Sequence, residues 1–134
     1  MLQKSSLPKV AYEDMNEMHY EEADLINHLF KEIESGSDKN VTTAVEELLE
    51  HMQKHFEFEE GMLKNCGFAM FDIHRNDHAR ILNETRMAYM NWRNFRDKEA
   101  LKEFLEDEFI EWLNLHIQAM DSVAAEFLKN SDDS

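Results

Sequence analysis

Apolar residues recur every three or four positions over long stretches of the chain, which is the spacing of a helix with one buried face. The first stretch runs from about Glu13 to Glu34 and ends at the polar turn of residues 35–38. The pattern therefore predicts a first helix of about six turns whose apolar stripe faces a core. The apolar positions of that stripe are Met15, Met18, Leu25, Ile26 and Leu29.

Capping residues predict three further helices. The second begins near residue 40 or 43, where Thr43 and Glu46 have the spacing of a capping box, and it ends at about residue 64. Asp72 is expected to cap a third helix that reaches about residue 95, and Asp97 a fourth over residues 98–129. Four long helices with short connections predict an all-α fold, an antiparallel up-down-up-down four-helix bundle.

Composition supports a single folded domain. The chain has 134 residues, enough to bury a core without disulfides. It has only three glycines and one proline, whereas an all-β chain needs turn residues every few positions. Hydrophobic residues make up 43% of the chain, which favours a core over disorder. We predict one domain over residues 1–134, with a leader at 1–12, the bundle at about 13–129 and a polar tail at 130–134.

The charge balance and the lone cysteine exclude several classes of function. A net charge of −15 repels phosphate backbones and anionic lipids, so we expect neither a nucleic-acid partner nor a membrane partner. Cys66 is the only cysteine, which excludes an internal disulfide and zinc ribbons. No stretch resembles a signal peptide or is long enough to span a bilayer, so we expect a cytoplasmic protein.

Two pairs of candidate metal ligands occur at a spacing of four residues. His55 and Glu59 form one pair on the second predicted helix, and His74 and His78 form another on the third. Residues four apart differ by only about 40° around a helix axis, so both side chains of a pair project from one face. Imidazole and carboxylate groups suit iron and similar metals, so each pair predicts a chelating element.

The fourth helix carries a less regular pair. His116 and Asp121 are five residues apart, which places them about 140° apart around an α-helix. Such a pair would need a local distortion of the helix to act together. His19 on the first helix has no partner of this kind and, taken alone, is better interpreted as a structural histidine.

Each pair lies among residues expected to face the core. Ionisable groups on an apolar face are costly unless they are paired or coordinated. A structural role and a ligand role are about equally plausible for the pair on the third helix, but chance is a poor explanation for the complete set. Seven such residues on four helices suit two metal ions with bridging carboxylates. The flanking apolar residues are Phe56 and Met62, then Ile73, Ile81 and Leu82, then Trp112, Leu113 and Ile117.

Two histidines stand outside this set. His51 lies four residues before His55 and shares its face, so it could be a hydrogen-bonding partner or a substitute ligand. We favour the interpretation that it is an exposed residue one turn beyond the site. His28 lies a little over two turns after His19 and is expected at the surface.

The order and spacing of these residues resemble the hemerythrins, the non-haem di-iron oxygen-binding family, and specifically single-domain bacterial hemerythrin-like proteins. The resemblance covers about residues 12–127. One departure is Tyr12, where many family members have a tryptophan. The segments that carry the resemblance are MNEMH at 15–19, HFEFEE at 55–60, HRNDH at 74–78, and WLNLHI at 112–117 followed by Asp121.

The resemblance implies two iron ions joined by an oxo or hydroxo group and by two carboxylates. One iron would be held by three histidines, namely His74, His78 and His116. The other would be held by His19 and His55 and would keep an open position for O2. The bridging carboxylates would be Glu59 and Asp121.

The function implied by the resemblance is reversible O2 binding for storage, delivery or sensing, with an oxygen-using protein as a conceivable partner. An apolar pocket without an acid to protonate O2 favours a binder over an enzyme. A di-iron oxidase or peroxidase, or the detoxification of nitric oxide or peroxide, is the alternative. Ferritin-like oxidases are disfavoured because no Glu-x-x-His motif occurs. The expected pocket residues are Phe56, Trp112, Leu113 and Ile117.

Overall fold

The computed structural model of the chain describes residues 2–3 and 7–133. Within these residues the chain is all-helical, with four long helices and no strand. Met1, residues 4–6 and Ser134, which belong to the predicted leader and tail, lie outside the described residues. The helices are α1 (Glu13–Ser35), α2 (Asp38–Asn65), α3 (Phe71–Phe95) and α4 (residues 98–133).

The last helix, α4, is continuous but not uniform. Two of its stretches, Phe104–Phe109 and Ile117–Asp121, are π-helical. At the end of the second stretch, the backbone N–H of Ser122 donates to the carbonyl of Ile117, five residues earlier. Single π turns are rare in proteins, and those that occur frequently lie at functional sites. This one separates His116 from Asp121.

The caps of α2 and α4 come from side chains that precede them. Ser37 accepts a hydrogen bond from the backbone N–H of Asn40, so α2 begins two residues or more before its predicted start. The prediction of a start at Thr43 is wrong because this earlier cap takes precedence. Asp97 accepts a hydrogen bond from the N–H of Ala100 at the start of α4, as predicted.

Two other helix ends differ from the sequence prediction. Asp72 does not cap α3, because the helix begins at Phe71 and Asp72 lies in its first turn. An acidic side chain is also favourable in that position, close to the positive end of the helix dipole. The helix α4 continues to Asp133, so the predicted end at residue 129 is wrong.

The contacts are those of a helical bundle: α1 packs on α2, α2 on α3, and α4 contacts the other three helices. A large apolar cluster fills most of the interior. No helix in residues 2–3 and 7–133 has an apolar stretch long enough to cross a membrane. A smaller cluster joins the start of α1, the end of α2 and the end of α4 through Met15, Leu63, Ala124, Ala125 and Leu128.

The polar residues of interest interrupt the apolar interior between these two clusters. On α1, His19 lies between Met15 of the small cluster and Ala23 of the large one. On α2, His55 and Glu59 come in the same way next to the small cluster, since they precede its member Leu63. The bundle therefore holds a buried polar layer with apolar packing on both sides.

Candidate metal centre

The seven candidate ligands lie together inside the bundle, and all four helices contribute. Each is at most 4% exposed, although each is polar or charged. Burial of so many ionisable groups is costly unless they are paired or coordinate a metal ion. They are His19 on α1, His55 and Glu59 on α2, His74 and His78 on α3, and His116 and Asp121 on α4.

The two oxygens of Glu59 face different histidines. Oε2 lies 2.5 Å from the Nε2 atom of His55 and 3.9 Å from that of His19. Oε1 lies 3.4 Å from the Nε2 atoms of both His74 and His78. One carboxylate thus lies between a pair of histidines from α1 and α2 and a pair from α3.

Asp121 divides its oxygens in the same way. Oδ2 lies 2.8 Å from His19 Nε2, on the side of the first pair. Oδ1 lies 3.1 Å from His74 Nε2 and 3.0 Å from His116 Nε2. The arrangement consists of two sets of imidazoles, with both carboxylates between them.

The donor set fits a metal ion. The Nε2 atoms of His78 and His116 are only 3.1 Å apart, and two imidazole nitrogens this close need a proton or a metal ion between them. Asp121 Oδ1 accepts no aligned hydrogen bond within the described residues, although it is buried. Within the described residues, three groups of side chains each bring their possible ligand atoms within 4.8 Å of one another. They are Glu59, His74, His78, His116 and Asp121; His19, His55 and Glu59; and Glu22, His51 and His55.

Protons supply the positive charge in the metal-free chain. Burial lowers the pKa of His116, but its close contact with the Asp121 carboxylate and its hydrogen bond to Asp77 outweigh burial and raise the pKa to about 9. Burial raises the pKa of Glu59, but the charge and hydrogen bond of His55 hold it well below the ordinary value. Metal binding at this site would therefore release protons.

Three histidines contact a carboxylate through Nδ1, the ring nitrogen that faces away from the centre. These carboxylates were not predicted from the sequence. His55 Nδ1 lies 2.9 Å from Glu22, and His78 Nδ1 lies 3.0 Å from Glu60. His116 Nδ1 lies 2.7 Å from Asp77. A metal-binding histidine commonly donates its other ring N–H to such a partner, which fixes the orientation of the ring.

Of these three carboxylates, only Glu22 leaves a signal in the sequence. It lies three residues after His19 and falls on the apolar stripe of α1, where an unpartnered acid would be costly. Asp77 and Glu60 occupy half-buried positions that many acidic side chains could fill. The Asp77 carboxylate also accepts a hydrogen bond of 3.0 Å from the indole N–H of Trp112.

The four expected pocket residues are buried around this layer. Phe56 stacks on His78 with ring centroids 4.0 Å apart, and its ring centroid lies 5.2 Å from that of His55. Trp112 stacks on His116 at 4.6 Å. Leu113 and Ile117 belong to the large apolar cluster.

Three other expectations concern residues near the ligands. Ile73 was expected to face the core but is 53% exposed, because it lies on the outer face of α3 beside the buried His74. His28 is exposed, as expected. The favoured interpretation of His51 as exposed is wrong, because this side chain is only 15% exposed and contacts Glu22.

Similarity to known proteins is consistent with this geometry. The chain is 26% identical over 128 residues to the Bacteriohemerythrin of Aquifex aeolicus (strain VF5), a match that covers 96% of this chain and 98% of that protein. It is 24% identical over 115 residues to the Bacteriohemerythrin of Stenotrophomonas maltophilia (strain R551-3), with 86% and 73% covered. No protein-family model matches the chain. No solved structure matches it either. The chain is therefore similar to bacterial hemerythrins over nearly its whole length.

Proposed function

We propose that this protein binds O2 reversibly at a di-iron centre inside the bundle. In this proposal His74, His78 and His116 would hold one iron, while His19 and His55 would hold the other. Glu59 and Asp121 would be carboxylate ligands shared by both irons, alongside an oxo or hydroxo group.

The observation that carries the proposal is the direction of the carboxylate oxygens. Glu59 presents Oε2 to His55 and Oε1 to His74 and His78. Asp121 presents Oδ2 to His19 and Oδ1 to His74 and His116. A carboxylate with one oxygen toward each histidine set has the geometry of a bridge, and one oxygen per metal is what a bridging ligand must supply.

The residues also account for an asymmetry between the two sets. Three imidazoles lie on one side and two on the other, so the smaller set leaves a coordination position without a protein ligand. Mixed imidazole and carboxylate ligation with an open position is typical of non-haem iron sites. Iron bound there would supply the electrons that reversible O2 binding requires.

The surroundings favour binding over catalysis. Phe56, Trp112, Leu113 and Ile117 are all buried and place apolar groups around the polar layer. Such groups exclude water and provide no acid to protonate and cleave O2. Turnover as an oxidase or peroxidase, or in detoxification, is the alternative function. Lasting oxidation with release of peroxide would favour it.

The finer features of the fold belong to the same proposal. We propose an antiparallel up-down-up-down order for the four helices. It is supported by the small apolar cluster, where the start of α1 meets the end of α2 and the end of α4. The cytoplasmic location and an oxygen-using partner protein stay predictions.

Anaerobic reconstitution with Fe²⁺ followed by metal analysis tests the centre. We expect about two irons per wild-type chain, and a His74→Ala chain should lose iron and stability together. The matched control is His28→Ala, which removes an exposed histidine and should keep both irons. Fewer than about one iron per wild-type chain would contradict the proposal.

Oxygen uptake tests the function itself. An oxygen electrode should record uptake of about one O2 per reduced chain, because one open position is available per di-iron centre. Flushing with argon should release the bound O2. Uptake that argon does not reverse would indicate turnover rather than carriage.

A further inference from the structure

Glu22 differs from the other carboxylates that hold the histidines. Its side chain is 0% exposed, whereas that of Glu60 behind His78 is 24% exposed and that of Asp77 behind His116 is 18% exposed. Charge interactions are screened less in the interior than at a surface. The fully buried carboxylate therefore acts most strongly on its histidine, and that histidine is His55.

A second histidine, His51, lies close to the same carboxylate. His51 Nδ1 lies 3.4 Å from Glu22 Oε1, the same oxygen that lies 2.9 Å from His55 Nδ1. The opposite nitrogen of His51 lies 3.0 Å from the carboxylate of Glu21, whose side chain is 63% exposed. A row of polar groups thus leads from His55 through Glu22 and His51 to the surface.

Stability alone gives a poor account of this arrangement. Glu22 Oε2 and His51 Nδ1 accept or donate no aligned hydrogen bond within the described residues, although both atoms are buried. A buried carboxylate that is only partly satisfied costs free energy compared with an apolar side chain of similar size. Such a cost is typical of functional sites.

We infer that Glu22, which lies next to His51, is a positioning residue that orients His55 and strengthens it as a metal ligand. This inference rests on the proposed di-iron centre. The N–H of His55 donates to a buried negative charge, so its Nε2 atom becomes a stronger electron donor. Because His55 belongs to the two-histidine set, the carboxylate acts on the iron with the open position.

The consequence is an electronic difference between the two irons beyond their number of histidines. The iron of the two-histidine set gains a buried charge one ring away, whereas the carboxylates behind the three-histidine set are partly in water. A stronger donor stabilises the more positive metal ion. The protein would thereby make the open iron easier to oxidise when O2 arrives.

Titration with Co²⁺ under argon tests this inference without O2 chemistry. The variant Glu22→Gln keeps the size and the hydrogen-bond acceptor but removes the charge. It should lower the affinity for one of the two Co²⁺ ions about 10- to 100-fold, since loss of such hydrogen-bonding partners has effects of that size. It should also shift the visible absorption bands of that ion. The other ion should bind as in the wild type.

The matched control is Glu60→Gln, which makes the same change behind His78 in the three-histidine set. It should shift the absorption bands of the other Co²⁺ ion. This shift should be smaller than that caused by Glu22→Gln, because Glu60 is partly exposed. The variant His51→Gln, which touches no proposed ligand atom, should shift the same bands as Glu22→Gln but less.

Two results would overturn the inference. One is a Glu22→Gln protein with wild-type affinity and bands at both ions. The other is equal weakening of both ions, because it would mean that Glu22 supports the bundle as a whole. A wild-type chain that fails to bind two Co²⁺ ions would instead reject the proposed di-iron centre itself.

Discussion

His116 Nε2 lies 3.0 Å from Asp121 Oδ1, although the two residues are five apart in one helix. In an α-helix they would point about 140° apart. The π turn at Ile117–Asp121 reduces this difference, since its hydrogen bonds join residues five apart. The distortion that the sequence spacing required is therefore one wide turn.

This geometry predicts that a carboxylate four residues after His116, the spacing of an ordinary α-helical pair, cannot replace Asp121. In the double variant Met120→Asp, Asp121→Ala, the carboxylate lies four residues after His116, as it would in an α-helical chelating pair. We expect the iron content to fall, because the π turn directs position 121 rather than 120 to the centre. Metal analysis after anaerobic reconstitution measures this. Full iron occupancy in the double variant would show that α4 adapts to the metal and that the π turn is not required.

Glu59 is predicted to be the most damaging single carboxylate to remove. Its oxygens lie near four imidazoles, so Glu59→Ala should weaken binding of both irons by roughly 100-fold or more, beyond the range for partners outside the ligand set. The control is Glu57→Ala, an exposed acid on the same helix. If Glu59→Ala keeps one iron at full affinity, Glu59 is not a bridge.

Asp77 is predicted to matter through His116 and Trp112. Asp77→Ala removes the acceptor for both of their N–H groups and should weaken iron binding about 10- to 100-fold. Asp77→Asn keeps an acceptor oxygen and should lie between that variant and the wild type. Asp72→Ala, an exposed change on the same helix, is the control. Equal iron affinities for Asp77→Ala and Asp72→Ala would show that Asp77 does not support iron binding.

The metal-free protein should lose stability as the pH rises from about 6.5 to about 9. The pKa of His116 is raised in the folded chain from 6.5 to about 9, so the protonated form stabilises the fold. This contribution, at most about 3 kcal/mol, is fully present below pH 6.5 and is lost as the pH rises through 9. Thermal unfolding of chelator-treated protein between pH 6 and 10 measures it. The iron-loaded protein, whose nitrogens hold metal rather than protons, is the control. A metal-free Tm that stays constant or rises over this range would contradict the prediction.

The fold and the candidate ligands were largely accessible from the sequence because their signals are local. The spacing of His55 with Glu59 and of His74 with His78 depends only on helix geometry, and the structure brings all four together with His19, His116 and Asp121. Helix ends were less accessible. The Ser37 cap, for example, competes with other capping residues nearby.

The partners behind the histidines depend on how the helices pack. The chain has 29 acidic residues, and no local pattern tells which of them meets an Nδ1 atom on another helix. Glu60 and Asp77 were missed for that reason. Glu22 was missed although it breaks the apolar stripe of α1. His51 was misplaced because its burial comes from α1 rather than from its own helix.

The most direct test of the central claim is the visible spectrum of the iron-loaded, reduced protein through one cycle of O2 and argon. Reversible O2 binding predicts that a charge-transfer band appears when O2 is added, persists while O2 is present and disappears under argon, over repeated cycles. A spectrum that does not respond to O2, or one that changes once and does not return under argon, would contradict reversible O2 binding at a di-iron centre.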